Sequence, residues 1–302
     1  PVPLYVGGNA SGSGSGNQGS TVALYDPSTM QQTGTTIPFP GFSGELHVSH
    51  ADMDGDGTTE LVVAAGAGGG PAVAILNGAT GAVIQSFFAY DIAFTGGVFV
   101  SVGFFNGDNT PDIVTGAGPG GGPHVKVFDG SNLQVLQSFF AYNVAFTGGV
   151  SVASADMNGD NISEIITGAG PGGGPQVNVF DGQSLMLLNS FFAFGSEFTG
   201  GVYVGAGDLG NEGTQKIITG AGKGGAPQVG IWTPAGVSLA QFLAYNPAFI
   251  GGVRVGSNNG NLVTGAGPGG GPQVNVYSYP GLSLLDSFFS GPDSDPNGIF
   301  VS

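Results

Sequence analysis

The sequence predicts an all-β protein: a six-bladed β-propeller with four-stranded blades, one blade being shared between the two ends of the chain. Three observations lead there. One set of phrases recurs: Gly-Gly-Val, an acid-rich loop, an apolar run closing in Thr-Gly-Ala-Gly, a Pro-Gly-Gly-Gly-Pro turn, Gln-Val-Asn-Val-Phe-Asp-Gly and Ser-Phe-Phe-Ala-Tyr. The Gly-Ala-Gly marker falls at Gly66, Gly116, Gly168, Gly220 and Gly265, a period of about fifty residues. Within each unit, four short apolar runs are separated by Gly, Pro, Asp and Asn, the punctuation of strands. A unit of that size cannot bury both faces of its strands alone, so neighbours must flank it on either side.

The elements follow in order. Leu4-Tyr5-Val6-Gly7-Gly8 matches a second strand, with third and fourth strands over Thr21-Val22-Ala23-Leu24-Tyr25-Asp26 and Thr35-Thr36-Ile37-Pro38-Phe39. The missing first strand lies at the other end, where Gly298-Ile299-Phe300-Val301-Ser302 repeats the pattern of Gly97-Val98-Phe99-Val100-Ser101. Residues 298–302 joined with 4–39 therefore make one blade, and this closure pairs an edge otherwise left open. Continuous blades are expected over about 41–90, 95–142, 147–194, 199–245 and 250–289, all within a single domain spanning 1–302. Val150 and Val152 alternate with Ser151, and Val177 and Val179 with Asn178, which predicts half-buried strands. Ile165-Ile166 and Phe191-Phe192 are apolar on both faces, as in strands sandwiched between layers. Gly12-Ser13-Gly14-Ser15-Gly16 reads as a turn of the split blade.

The loop after each first strand carries the chemistry. Asp52-Met53-Asp54-Gly55-Asp56-Gly57-Thr58-Thr59-Glu60 sets acids at positions one, three, five and nine around a glycine turn. Oxygen ligands at one, three and five, the backbone carbonyl of Thr58 at seven and a closing carboxylate suit Ca²⁺. An EF-hand closes at position twelve between helices; here Glu60 opens a strand-like run, Leu61-Val62-Val63-Ala64-Ala65. The third loop offers Asp156, Asn158, Asp160, the carbonyl of Ile162, and Glu164. In the second, Asn106, Asp108 and Asp112 remain, with Phe104 in place of the first acid. Lys216 replaces the closing acid of the fourth loop, where Asp208 and Glu212 survive, and its ammonium is expected to take the cation's place. The fifth, Ser257-Asn258-Asn259-Gly260-Asn261, has no carboxylate.

Loop, strand and Gly-Ala-Gly turn, over Ala51-Asp52 to Ala65-Gly66-Ala67 and Ala155-Asp156 to Thr167-Gly168-Ala169, resemble the FG-GAP repeats of β-propellers, including the calcium-loop blades of integrin α-subunit heads. The Phe-Phe-Ala-Tyr and Phe-Thr-Gly-Gly-Val phrases are similar to tandem blades of large bacterial secreted and surface proteins. The resemblance implies calcium in the intact loops and leaves the fourth and fifth without that expectation. It also admits a lectin-like module, since some members of the family bind sugars between blades.

Gly and Pro, 61 and 19 residues, would suggest disorder were they not periodic. Twenty acids oppose four basic residues, Lys126, Lys216, Lys223 and Arg254, for a net charge of −16. No basic stripe exists to meet phosphates, which excludes a nucleic-acid partner. No run is long and apolar enough for a membrane span, and the absence of an initiator Met or signal-like start suggests a processed or excised form. Charged residues make up only 8% of the chain, which suits a subunit packing against copies of itself as a homo-oligomer or polymer, or against a surface glycan or protein partner. Short loops with three or four acids belong to the weak class of calcium sites, with Kd of roughly 10⁻⁴ to 10⁻³ M, and that places the protein outside the cell or on its surface. The absence of cysteine does not bear on this.

The remaining polar features do not build an active site. His47 and His50 lie three apart on a strand and point to opposite faces. Gly118-Pro119-Gly120-Gly121-Gly122-Pro123 precedes a strand and no Gly-Lys-Ser/Thr follows, so it is a turn and not a phosphate loop. His124, Gln176, Gln228 and Gln273 recur at one blade position, where they either line shallow sugar sites or simply begin a strand. Asp293 and Asp295 read as a solvated loop. The expectation is a non-catalytic structural or adhesive propeller, with a lectin as the alternative and a polysaccharide lyase as a weaker one lacking the basic cluster such chemistry needs.

Overall fold

The computed structural model describes residues 2–8, 19–291 and 298–302. The expected Gly12–Gly16 turn and the Asp293/Asp295 pair lie outside the described residues. The split blade contributes β1 (Leu4–Gly7), β2 (Val22–Tyr25) and β3 (Gln32–Thr36). Blade one follows as β4 (Leu46–Ala51), β5 (Glu60–Ala65), β6 (Ala72–Leu76) and β7 (Val83–Phe88), and blade two as β8 (Val98–Gly103), β9 (Asp112–Ala117), β10 (His124–Phe128) and β11 (Val135–Phe140). Blade three is β12 (Val150–Ala155), β13 (Glu164–Ala169), β14 (Gln176–Phe180) and β15 (Leu187–Phe192). Blade four is β16 (Val202–Gly207), β17 (Lys216–Ala221), β18 (Gln228–Trp232) and β19 (Ser238–Leu243). Blade five is β20 (Val253–Asn258), β21 (Asn261–Ala266), β22 (Gln273–Tyr277) and β23 (Leu284–Phe289), and β24 (Phe300–Val301) returns to the split blade.

The result is six antiparallel four-stranded sheets in a ring. β24 pairs with β1, Val301 opposite Val6 and Phe300 opposite Gly7, and Tyr5 and Ser302 exchange backbone hydrogen bonds at 3.1 Å in each direction. The innermost strands touch in a closed cycle, β24 to β4, β8, β12, β16, β20 and back to β24. The fourth strand of the split blade sits a few residues earlier than expected, over Gln32–Thr36. The glycine turns abut as anticipated: a Cβ at Gly118 would overlap the carbonyl oxygen of Gly96, and one at Gly170 that of Gly148.

Two expectations about exposure are corrected. Ser151 and Asn178 are buried, not exposed, because the inner three strands of a blade are covered on both faces. Ser151 donates to Val202 O at 2.9 Å, and Asn178 donates across the blade boundary to Ala141 O at 2.9 Å. Conversely, Phe191-Phe192 is not sandwiched. It lies on the outer strand β15, where Phe192 is 53% exposed while Ile165 and Ile166 on β13 are fully buried.

Adjacent blades are clasped by side chains from the Ser-Phe-Phe-Ala-Tyr phrase. The Tyr90 hydroxyl donates to His124 O of the next blade at 2.9 Å and meets the Thr115 hydroxyl at 3.2 Å. Tyr142 repeats this with Gln176 O and Thr167, and Tyr245 with Gln273 O and Thr264. Blade three ends instead in Phe194, which has no hydroxyl. Thr219 is satisfied from within its own blade, by Trp232 Nε1 at 2.9 Å, and Gly230, standing where other blades carry Lys126, Asn178 or Asn275, makes room for that indole.

Candidate metal loops

Each loop begins where the innermost strand ends, so register fixes where its acids stand. β4 runs to Ala51, and β5 begins at Glu60 directly opposite it. Gly55 and Gly57, with φ of 76° and 86°, provide the left-handed turns between them. Asp52 accepts from Gly55 N at 2.8 Å and Gly57 N at 3.0 Å, and so holds the loop in shape. One ligand oxygen each from Asp52, Asp54 and Glu60 falls within 4.8 Å of the others. Asp56 stays outside this group and accepts from Thr58 N at 2.6 Å. Glu60 is almost fully buried. Its Oε2 accepts from Met53 N at 3.0 Å, while Oε1 is buried without a hydrogen-bond partner. Burial pushes its carboxyl above the ordinary carboxylate range; the Met53 bond opposes this, and Asp54, Asp56 and Asp52 add repulsion. An orphaned buried carboxylate oxygen beside two further acids is a donor set that a hard cation would complete.

The third loop has the same frame with its carboxylates already engaged. Asp156 accepts from Gly159 N and Asn161 N, and Ile162 N donates to Asp160 at 2.8 Å. Glu164 Oε2 accepts from Met157 N at 2.6 Å, while the Asn158 amide reaches Glu164 Oε1 at 2.8 Å and Asp160 at 3.1 Å. The amide group thus links two of the acids that would hold a cation, while its Oδ1 accepts from Asp160 N at 2.9 Å; turning it over would exchange that bond for an oxygen facing the acids.

The second loop is closed differently. Asp112 accepts on both oxygens, from Phe105 N at 2.9 Å and Gly130 N at 3.1 Å, and Asn106 donates to Asp108 at 2.9 Å. With Phe104 in the first position, its backbone is tied instead to Ser163 of the next loop. This loop needs no ion to satisfy its closing acid. In the fourth, Lys216 Nζ donates to Glu212 Oε2 at 3.0 Å, Thr214 O at 3.1 Å and Thr214 Oγ1 at 2.9 Å, and lies over the Tyr279 ring. A tethered ammonium, coordinated by carboxylate, carbonyl and hydroxyl, occupies the pocket of the loop. Lys216→Glu is expected to cost about 2 kcal/mol in calcium-free buffer, by removing these bonds and setting two acids together. Millimolar calcium should recover part of that loss for Lys216→Glu and none for Lys216→Met; thermal melts of both variants with and without calcium provide the check. The fifth loop is a tight hairpin, with Asn258 opposite Asn261.

Sequence reasoning missed two sets of residues. The glycine of the Phe-Asp-Gly phrase packs beneath the loops: a Cβ at Gly130 or Gly182 would overlap the carbonyl of Pro111 or Ser163, the residue before each closing acid. The second set plugs the central channel. His47, Phe99, Ser151, Tyr203, Arg254 and Phe300 follow the first apolar residue of each innermost strand, a register that the Gly-Gly-Val phrase marks in the sequence. His47 stacks on Phe99 with centroids 4.2 Å apart, and Arg254 lies over both Tyr203 and Phe300 while pairing with Glu45 at 3.0 Å. Phe300 touches His47, Phe99 and Tyr203 as well. As expected, the two histidines diverge: His47 Nδ1 meets Val98 O at 2.5 Å in the plug, whereas His50 Nδ1 meets the Ser302 hydroxyl at 3.0 Å. The recurrent strand-start side chains are engaged within their blades, His124 with Ser138, Gln176 with Ser190, Gln228 with Gln241 and Gln273 with Ser287.

No protein-family model matches the chain. Among solved structures, it is similar to one titled "Structure of U3-55K", with a TM-score of 0.54 and 14% identity over 88% of this chain and 75% of that one. It is also similar to a chain of "Crystal Structure of Mitotic Checkpoint Complex", with a TM-score of 0.51 and 12% identity over 91% and 73%. At such identities the likeness is one of fold alone. Among the described residues, no helix is long and apolar enough to cross a membrane.

Proposed function

We propose that this protein is a non-catalytic, calcium-stabilised propeller working outside the cell or on its surface, as a structural or adhesive unit that assembles with copies of itself. The observation that carries the reading is the buried, unpartnered Glu60 Oε1 beside Asp52 and Asp54. These three residues would hold the ion in the first loop; in the third, Asp156, Asn158, Asp160 and Glu164 would do so once the Asn158 amide turned over. An all-oxygen donor set in a loop with few acids suits the weak calcium affinity of extracellular modules. The bound ion would supply charge neutralisation and tie the first two strands of the blade together.

Self-assembly is supported by the low charge content, 8%, and by the exposed apolar side chains of the outer strands. The lectin reading has less support, because the recurrent polar side chains are occupied by partners in their own blades. Calcium at ten times its Kd adds about 1.4 kcal/mol per site, which for a chain of this length raises Tm by about 2 °C. Melting in calcium against chelator is the test, with Glu60→Gln expected to abolish the first loop's share. An unchanged Tm together with a flat calorimetric calcium titration would overturn the metal assignment.

A further inference from the structure

In their side-chain ligands the first and third loops differ by one group. Asp156, Asn158 and Glu164 stand where Asp52, Asp54 and Glu60 converge in the first loop, so an amide takes the place of one carboxylate. Asn158 is followed by Gly159. An asparagine loses its amide when the backbone nitrogen of the next residue attacks its Cγ, and a glycine there has no Cβ to obstruct the approach. Among the described residues, Asn-Gly occurs also at Asn77, Asn106 and Asn259.

The surroundings separate these sites. Gly159 N donates to Asp156 Oδ1 at 2.7 Å, so the attacking nitrogen already faces a base. Asn158 Oδ1 accepts from Asp160 N at 2.9 Å, which polarises Cγ and steadies the oxygen as it gains charge. Its Nδ2 donates to Glu164 Oε1 at 2.8 Å and Asp160 Oδ2 at 3.1 Å, which fixes the side chain. Asn158 is exposed, and a Cβ added to Gly159 would meet nothing within 4 Å, so water reaches the site. Asn106 receives the same bond from Asp108 N, at 3.0 Å, but Phe104 stands in place of Asp156 and removes the base. The other two are tied down: Gly78 packs under the carbonyl of Thr59, and Asn259 holds Val2 through both Nδ2 and Oδ1.

We propose that Asn158 deamidates within the folded loop, with Asp156 as the base, and so supplies the missing carboxylate of the third calcium site. Gly159 N bonds to Cγ while Asp156 takes its proton; the Cγ–Nδ2 bond then breaks, and ammonia leaves with that proton. Water adds at Cγ of the succinimide, the bond from Cγ to Gly159 N breaks, and the peptide is restored. The sum is amide plus water to carboxylate plus ammonium, with no change of oxidation state. Opening at Cγ returns the frame that the first loop already has, where Asp56 N donates to Asp54 Oδ1 at 3.2 Å over an equivalent glycine turn. Opening at the main-chain carbonyl would instead add a methylene to the backbone and break the bonds from Gly159 N and Asn161 N to Asp156. The new carboxylate faces Glu164 and Asp160 without a donor between them, so the loop passes from one closed by its own amide to one that needs a cation.

The calcium consequence rests on the metal reading above, whereas the modification does not, and the experiment separates the two. The full chain, aged at neutral pH in chelator and mapped by mass spectrometry of its peptides, is expected to lose the Asn158 amide at least about tenfold faster than the Asn106 amide, since a positioned base contributes on the order of 10²–10⁴-fold. Asn158 should also convert faster in the folded chain than in the same chain held unfolded in guanidinium chloride. Asp156→Asn should bring Asn158 down to the rate of Asn106, and the comparison with the unfolded chain stands even if that variant does not fold. Conversion at Asn158 no faster than at Asn106 or in the unfolded chain, or a product that is mainly isoaspartate, overturns the proposal. Asn158→Asp, which carries the product side chain, should melt below the wild type in chelator and gain more from calcium. If it gains nothing while Asn158 converts as expected, the metal reading of the third loop falls and the modification stands.

Discussion

Truncation after Gly298 is expected to abolish the stable monomeric ring. Ile299 and Val301 are buried in the core shared by the split blade and blade five, and Phe300 is the one side chain in the plug that touches His47, Phe99, Tyr203 and Arg254 together. Phe-to-Ala changes in such settings cost about 3–5 kcal/mol, and losing all three apolar residues should exceed that, a large share of the 5–15 kcal/mol typical of a whole domain. The exposed edge of β1 would then recruit other chains. Phe300→Ala isolates the plug from the strand, and it should lower the urea midpoint while leaving the protein monomeric at low concentration. A truncated protein that remained monomeric with an unchanged midpoint would refute the closing role of β24.

The second large effect is expected in acid. Burial drives the His47 pKa down to about 4; Glu45 and the bond to Val98 O oppose this, and Arg254 adds to it. Because the folded-state value lies below the unfolded value of about 6.5, the unfolded chain binds more protons between the two. Stability from this group is therefore complete above pH 6.5 and is lost as pH falls toward 4. By pH 4.5 the loss comes to roughly 2.5 kcal/mol. His50, also lowered to about 4 by burial, contributes with the same sign. His47→Phe keeps the stack on Phe99 and removes the titration. Urea midpoints between pH 7.5 and 4.5 should fall less steeply in the variant, and parallel slopes would show that His47 is protonated in the folded state.

The architecture was legible because the repeats carry it. Gly66, Gly116, Gly168, Gly220 and Gly265 mark a backbone constraint that no other residue satisfies, and Ile299 to Val301 could be matched to a first strand by pattern alone. Exposure was not legible. Phe191 and Phe192 look like core because apolarity reports preference and not position, and only the ring shows that a fourth strand has no neighbour outside it. Ser151 and Asn178 look like surface because their partners, Val202 O and Ala141 O, belong to other blades. The placing of the acids in the loops was legible, and so was Lys216 as an internal cation. That Asp112 would already be satisfied, and that Glu60 would keep one oxygen free, depends on Gly130 N and Met53 N, which spacing does not place.

The exchange of tyrosine for Phe194 loosens one seam between continuous blades. From blade one to two, two to three and four to five a hydroxyl crosses from one blade to the next, and Lys126, Asn178 or Asn275 reaches back to a carbonyl of the blade before it. Between blades three and four both links are absent, since Phe194 has no hydroxyl and Gly230 no side chain, and each is of a kind worth about 1 kcal/mol. Of the four seams between blades continuous in the chain, this one alone lacks both links. It lies away from the joint where the termini meet, so a local opening there would leave the ends of the chain paired.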